Sequence, residues 1–558
     1  MRGFRVVASG PPALTGQSAH RLGLLGADVS PGQPAGPGRI IVSGAGTPDL
    51  RAEVSWSATP SIVDEATAQA ATGVAHVHGR SAGQPRAIAC DYLTTLASAL
   101  TIQGLLAALV GRARGADIRV VSTSVDLAGL LAVSQYLAAA TAEDDEAVPL
   151  APGGPPFVTA DGVRFEVETL DATVWVTFWR SLGVAERLAG SAWRSFQFRY
   201  ATACSPLPPD LHEHAEKSDW SAVRAAAEKS GASVCPVHDT PGPIADAPWT
   251  LWPRGRLADR TATAPGRHTP LAGITVLEAG RRIQAPMAAH LLRLLGARVV
   301  RVEPPGGDPL RGMPPTCGDI SARWLALNRG KDAAEIDIKS AAGRADLLDL
   351  VADADVFLHN WAPGAAERLG LDDADLRKVN PGLVYAYTSG WAGRIEDAPL
   401  GTDFMVQARS GVGAAVRGDG EPPAPSLMTL LDVLGGLLGT EVILAALLLR
   451  EREGRGVRAE SSLLGAADLL LKAPRSADRR PIRTRDGWIM TADGTRRDPR
   501  LLTALTSGDA LAALHGTGVA ATAVTTSLDR LPHDPRFSSH LYRDAHGALA
   551  VAAPWRFA

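Results

Sequence analysis

The strongest constraint on what this chain can fold into is that it repeats itself. Segment 274–300, ITVLEAGRRIQAPMAAHLLRLLGARVV, aligns without a gap on FRVVASGPPALTGQSAHRLGLLGADV from residue 4. Gly10, His20, Leu25, Gly26 and Ala27 fall on Gly280, His290, Leu295, Gly296 and Ala297, a displacement of 270 (280 − 10). Further along, Gln69, Gly73, Pro85 and Ala107 fall on Gln407, Gly411, Pro423 and Ala445, a displacement of 338 (407 − 69). The two displacements differ by 68 (338 − 270), so the first copy lacks about one or two βα units that the second retains. Such a chain is a tandem duplication with unequal trimming, and its fold must be built from two related units.

In the second copy, β-branched runs alternate with helical patterns: ITVLE (274–278), a helix to about Leu295, RVVRVE (298–303), AAEIDI (333–338), a helix through GRADLLDLVADA, DVFLHN (355–360) and LVYAYTSG (383–390). Strands separated by helices of this length predict parallel βαβ units, which makes the fold class α/β with a doubly wound sheet. The first copy keeps RVVAS, RIIVSG and IRVVSTS as strands, with helices near 63–73, 91–114 and 125–142, and then a small α+β unit at about 155–245. The Pro/Gly/Arg-rich stretch TLWPRGRLADRTATAPGRHTP (250–270) reads as a linker. It divides the chain into an N-terminal copy (1–249), a large domain (271–473), and a truncated small-domain remnant with a C-terminal return segment (474–558).

The most informative single residue interrupts an apolar helix. SLMTLLDVLGGLLGTEVILAALLLR (426–450) carries a carboxylate, Asp432, close to its start. A buried charge without a partner costs several kcal/mol, so Asp432 has to be a cap, half of an ion pair, or a group retained for chemistry. Position 94, which is 432 − 338, holds Thr in the first copy, with Asp91 three residues upstream. Thr caps a helix nearly as well as Asp but cannot perform carboxylate chemistry. The run from Val433 to Leu449 approaches membrane length, yet Glu441 and the small residues favour a core helix.

A formal net charge of −3 argues against a nucleic-acid or anionic-membrane partner and for a small molecule. Four cysteines (Cys90, Cys204, Cys235, Cys317) without C-x-x-C spacing argue against a disulfide framework or structural zinc. Together with an N-terminus that has no continuous apolar run, they predict a cytoplasmic protein. His76/His78 and His212/His214 sit at spacing two, suited to one face of a strand, but lack a third ligand, so no metal is expected. Trp175, Phe178, Trp179, Trp193, Phe196 and Phe198 are expected to pack a core. EAGRRIQAP follows the first strand where a dinucleotide site would need G-x-G-x-x-G, which disfavours a dehydrogenase.

Six ordered motifs of the second copy resemble the class III CoA-transferases, the CaiB/BaiF family: 271–312, LNRGKDAAEIDIKSAAGR (327–344), ADVFLHNWAPGAAERLGL (354–371), NPGLVYAYTSGW (380–391), GTDFMVQARSG (401–411) and LLDVLGGLLGTEVILAALLLREREGRG (430–456). The first copy resembles the same family more faintly. The resemblance implies a Rossmann-like large domain, a smaller domain and interlocked subunits. It also implies CoA transfer from an acyl-CoA to a free carboxylic acid, with Asp432 as nucleophile and no cofactor beyond coenzyme A itself. Through the resemblance, CoA binding falls on Arg282, Gln284, Glu303, Pro304, Lys331, Ile336, Lys339, Asn360 and Arg368, along the carboxyl ends of the strands. A position near a helix N-terminus is expected to keep Asp432 ionised.

Two alternatives, and one expectation about the lid, follow from the same residues. α-Methylacyl-CoA racemases share the carboxylate position, but resemblance to them calls for His where this chain has Thr402. A catalytically silent CoA-binding scaffold is the rival outside catalysis, because only IRTRDGWIMTADG remains where the second copy's small domain should follow Ala473. The first copy keeps a fuller version, PFVTADGVRFEVETLDATVWVTFWRSLGV, which leads to the expectation that it supplies the missing lid over Asp432. The chain is then either a homodimer or an intrachain pseudo-dimer.

Overall fold

A computed structural model describes residues 1–44, 47–256, 265–476, 479–493, 495 and 499–558. The N-terminal half carries strands β1 (Phe4–Ser9), β2 (Asp28–Pro31), β3 (Gly38–Gly44), β4 (Thr47–Ser55) and β5 (Val120–Ser124), in the spatial order β2-β1-β3-β4-β5. Helix α1 (Pro12–Leu24) follows β1, and α2 (Glu65–Ala71), α3 (Val74–Gly79) and the 22-residue α4 (Tyr92–Ala113) lie between β4 and β5. Then comes the small unit: β6 (Phe157–Val158), β7 (Arg164–Glu168), α5 (Ala172–Ser181), α6 (Glu186–Thr202), α7 (Pro209–Glu216), α8 (Trp220–Ser230) and β8 (Ser233–Pro236), with its three strands in one sheet. Phe157, Phe165, Trp175, Phe178, Trp179 and Phe196 fill its separate core.

Part of the expected linker is an ordered strand that ends the N-terminal half. Trp249–Arg256 forms β9, which pairs antiparallel with the edge of the C-terminal sheet, and residues 257–264 lie outside the described residues. The alternating burial of Trp249 and Leu251 against that sheet explains why a Pro/Gly-rich stretch is ordered there. The sheet contains β10 (Thr275–Ala279), β11 (Arg298–Glu303), β12 (Asp332–Glu335), β13 (Val356–His359), β14 (Val384–Ser389) and β15 (Arg455–Ser462) in the order β12-β11-β10-β13-β14-β15-β9, parallel except for β9. Its helices include α9 (Gln284–Leu294), α10 (Ala341–Asp353), α11 (Ala365–Leu369), α12 (Asp373–Val379), α13 (Asp403–Ser410) and the 24-residue α14 (Leu430–Glu453).

The sheet of the N-terminal half departs from the expected parallel pattern. Relative to β10-β13-β14, the strands β1-β3-β4 hold the same places, but β3 runs antiparallel to both neighbours. The deletion removed the crossover helices, and two strands joined by a short connection can only pair antiparallel. The order is restored at β5, which is parallel to β4 across the long α2–α4 connection.

The two halves are woven together. Helices α4 and α14 pack against each other at the centre, and both, although long and apolar enough to span a membrane, are buried within the fold. A second small sheet of β16 (Ile482–Arg483), β17 (Trp488–Thr491) and β18 (Ala521–Ala523) follows, and the chain ends in β19 (Arg556–Phe557), which pairs with β5. Each half therefore contributes its last strand to the other's sheet: β9 to the C-terminal one, β19 to the N-terminal one.

Candidate functional site

Asp432 lies in the first turn of α14, half-buried. The first backbone N–H groups of a helix have no partner within the helix. Here the N-cap residue Thr429 makes no side-chain cap bond, and the buried carboxylate of Asp403, at the start of α13, takes over: its Oδ2 accepts the Asp432 N–H at 2.7 Å. Gln407, one turn along α13, holds Asp403 in place. Its Nε2 donates to Asp403 Oδ1 (2.5 Å) and to the Ser426 carbonyl (3.0 Å), and its Oε1 accepts the Ser426 N–H (2.8 Å).

The N-terminal half repeats this frame bond for bond. Glu65 stands at 403 − 338 and Gln69 at 407 − 338. Glu65 accepts the Leu93 and Thr94 N–H groups at 2.7 and 2.9 Å, while Gln69 bonds Glu65, the Ile88 carbonyl and the Ile88 N–H. The frame is thus a structural device for starting a buried helix. The side chain it presents differs: Thr94 in one half, Asp432 in the other.

The small unit of the N-terminal half reaches the Asp432 side, as the lid expectation requires. Buried Glu168, at the end of β7, accepts from the Thr402 hydroxyl (2.9 Å) and from Arg199 Nη2 of α6 (3.1 Å), and Thr402 immediately precedes Asp403. The reverse arrangement is recognisable but altered. PIRTRDGWIMTAD (481–493) matches PFVTADGVRFEVE (156–168), which puts Asp493 in the place of Glu168. Asp493 and Asp91 share the Arg479 guanidinium next to Thr94. The helix Ser507–Gly516 takes the place of α8, just ahead of the third strand of its sheet, so where the first small unit has α5 to α7 (172–216) the second has only residues 494–506.

Burial works against the expectation that Asp432 stays ionised. Desolvation is the largest effect on its carboxyl and pushes it up to about 7, with Arg282 pulling it down and Glu168 pushing it further up. Asp403 is raised as well, first by burial and then by the charge of Asp432. Asp432 lines none of the cavities of about 790, 230 and 520 Å³ elsewhere on the molecule.

The residues expected at the CoA edge fall into two groups. Arg282, Pro304, Lys339 and Arg368 are exposed on the loops after β10, β11 and β12 and on α11 beyond β13, all at the carboxyl end of the sheet. Asn360 joins two of those loops, donating to the Arg281 carbonyl (3.0 Å) and accepting the Arg281 N–H (2.8 Å). Ile336 is buried beneath the same edge. Gln284 is buried against α14, its Nε2 2.9 Å from where a Cβ on Gly435 would stand, so Gly435 is the residue that lets the two helix starts meet. Glu303 and Lys331 have other work. Glu303 accepts from both Arg311 (3.0 and 2.8 Å) and the Asp308 N–H, and Lys331 donates to Glu278 (2.7 Å), Asn328 and the Pro286 carbonyl. Burial lowers Lys331 to about 8 in spite of Glu278. These two hold the strand ends together and offer CoA no free charge.

The histidine pairs lie on helices, not on strands. His76 and His78 are in α3, with His78 Nδ1 2.7 Å from the Ser426 hydroxyl, and His212 and His214 are in α7. Sequence reasoning missed Glu168, Arg199 and Tyr200. Their one visible signal was that the helical stretch 172–216, α6 included, survives in the first copy alone.

The family model described as CoA-transferase family III matches residues 49–251 and 271–514. Acetyl-CoA:oxalate CoA-transferase of Acetobacter aceti is 36% identical over 210 residues, 36% of this chain and 53% of its own length. The succinyl-CoA–L-malate CoA-transferase beta subunit of Chloroflexus aurantiacus is 37% identical over 200 residues, 35% of this chain and 49% of its own. The chain thus spans about half the length of the curated relatives it matches. A crystal structure of a CaiB/BaiF family protein from Brucella suis shares 27% identity at a TM-score of 0.45, covering 52% of this chain and 93% of that one.

Proposed function

The chain belongs to CoA-transferase family III, and from that premise we propose that it moves CoA from an acyl-CoA to a free carboxylic acid through Asp432. In this reading an Asp432 oxygen attacks the thioester carbonyl, the C–S bond breaks, and a mixed anhydride and CoA thiolate result. The thiolate attacks the aspartyl carbon, the anhydride C–O bond breaks, and the first acid leaves behind an Asp432–CoA thioester. An acceptor carboxylate repeats the two steps in reverse and departs as the new acyl-CoA. No net proton is exchanged, and the thioester bond energy is preserved throughout. Lys339, Asn360 and Arg368 are the side chains at the strand ends that suit an anionic, amide-bearing cosubstrate.

The observation that carries the reading is the comparison of the halves: one frame, built twice from the same hydrogen bonds, presents an inert Thr94 on one side and a half-buried carboxylate on the other. We read the fused halves as an intrachain pseudo-dimer, with Glu168 and α6 of the N-terminal half completing the Asp432 site. The curated relatives act, by name, on oxalate and malate, which makes these acids the first acceptors to try.

The test is chemical. Incubation with acetyl-CoA or succinyl-CoA followed by hydroxylamine is expected to leave a hydroxamate that mass spectrometry places on Asp432. Absence of any adduct across a broad panel of thioesters favours the silent CoA-binding scaffold instead.

A pH dependence follows from burial. Only the anion attacks, and the Asp432 carboxyl is pushed up to about 7. Adduct formation is therefore expected to rise about tenfold per pH unit below 7 and level off above it. A rate that is flat from pH 5 to 8 contradicts a buried carboxylate nucleophile.

A further inference from the structure

Arg282 is better placed to hold a substrate carboxylate than a phosphate. It stands between β10 and α9, just before the first turn of α9, which packs on α14 at Gly435 and Gly436, one turn past Asp432. CoA's diphosphate is separated from its sulfur by the whole pantetheine arm, so a side chain beside the nucleophile is far from the phosphates when the thioester is in place.

Three observations show that this guanidinium is held ready. Its backbone is in the left-handed region, φ +61°, a conformation that non-glycine residues adopt at a cost. The loop is anchored one residue earlier by the two Asn360 bonds to Arg281. The side chain lies over the ring of Tyr200, 5.3 Å from its centroid, and Tyr200 comes from α6 of the N-terminal half. Among the described residues Arg282 has no carboxylate within the 4.0 Å of an ion pair, in contrast to the Arg301 and Arg311 network on the neighbouring strand. An exposed, oriented cation whose own charge is uncompensated is a receptor for an anion. Arg282 is also the strongest charge acting on Asp432, drawing its carboxyl down against the effect of burial.

The repeat supplies independent support. Position 12, which is 282 − 270, is Pro in the first copy. The half without the carboxylate also lacks the guanidinium, while it has the Glu65/Gln69 frame, so the two side chains occur together or not at all in the two halves.

We propose that Arg282, clamped by Tyr200 from the other half of the chain, binds the carboxylate of the acceptor acid and aims its oxygen at the Asp432–CoA thioester. This rests on the transferase reading above and adds to it the residue that recognises the acid. The attack forms the new C–O bond, breaks the C–S bond and releases CoA thiolate. A cation on that side also offsets the repulsion between an incoming anion and the nearby Glu168.

The experiment separates the two half-reactions, using acetyl-CoA or succinyl-CoA as donor and oxalate or malate as acceptor. In Arg282→Gln, assayed at pH 9 so that Asp432 is ionised with or without the guanidinium, Asp432 labelling by the donor is expected to stay within about threefold of wild type while the KM for the acceptor rises about tenfold or more, the scale of a charged hydrogen bond. Arg282→Lys is expected to recover part of the loss. Tyr200→Leu, which frees the guanidinium, is expected to raise the acceptor KM by a smaller factor and leaves the test open should Arg282→Gln fold poorly. Normal acceptor KM in both Arg282→Gln and Tyr200→Leu, or a loss of CoA affinity with acceptor KM unchanged, overturns the assignment. No labelling of Asp432 in the wild-type protein overturns the transferase reading and this proposal with it.

Discussion

Replacing Asp432 by Asn is expected to lower CoA transfer by about 10³-fold or more, because the amide can neither attack a thioester nor carry the acyl group. The exchange keeps the shape of the side chain and leaves the Asp403 bond to the backbone N–H of residue 432 untouched. The same variant has an opposite effect on stability. The carboxyl value is raised in the folded protein from its ordinary 3.8 to about 7, so the contribution of this group to stability is fully present below about pH 4 and is lost as pH climbs through 7. Asp432→Asn is therefore expected to melt above wild type at pH 8, with the difference shrinking toward pH 4. Steady-state rates and thermal melts on one preparation check both halves of the statement. A variant that transfers CoA at more than a tenth of the wild-type rate contradicts Asp432 as the nucleophile.

The largest expected effect on folding lies in the seam between the halves. Arg21 of α1 and Glu441 of α14 form a fully buried ion pair at 2.7 Å, with Arg21 also donating to Ser98 (2.8 Å) and Trp249 donating to Glu441 (3.0 Å). Four segments from both halves thus meet at two charges. Glu441→Ala strands the guanidinium without an anion and is expected to cost about 3–5 kcal/mol. Removing both charges together, as Arg21→Met with Glu441→Leu, is expected to restore most of that loss, since desolvating an ion pair roughly cancels what it returns. Urea unfolding of the single and double variants measures the difference, and a loss below about 1 kcal/mol in Glu441→Ala means that the pair does not hold the seam.

Much of this was readable from residue patterns, and the limits have physical causes. The alternation of strand and helix motifs in 274–390 specified the parallel sheet, because a βαβ unit declares itself over some thirty residues. Asp432 drew notice because a carboxylate at the start of an apolar helix needs a reason. The antiparallel β3 was not legible: RIIVSG has the same residues whichever way it runs, and direction is set by the length of chain missing before it. The ion pair of Lys331 was not legible because a buried lysine with three acceptors and an exposed one free to meet CoA look alike until Glu278 is seen beside it. Glu168 lies 264 positions before Asp432 (432 − 168), on a different half, and only folding brings them together.

The crossed strands have a consequence for how such a chain can change over time. With β9 stitched to one sheet and β19 to the other, the halves cannot part without tearing two sheets, so they always arrive as a pair in fixed proportion. Chemistry can then be concentrated on one side while its twin drifts into the part of a permanent support. Thr94 and Pro12, opposite Asp432 and Arg282, are where the two halves differ in this respect.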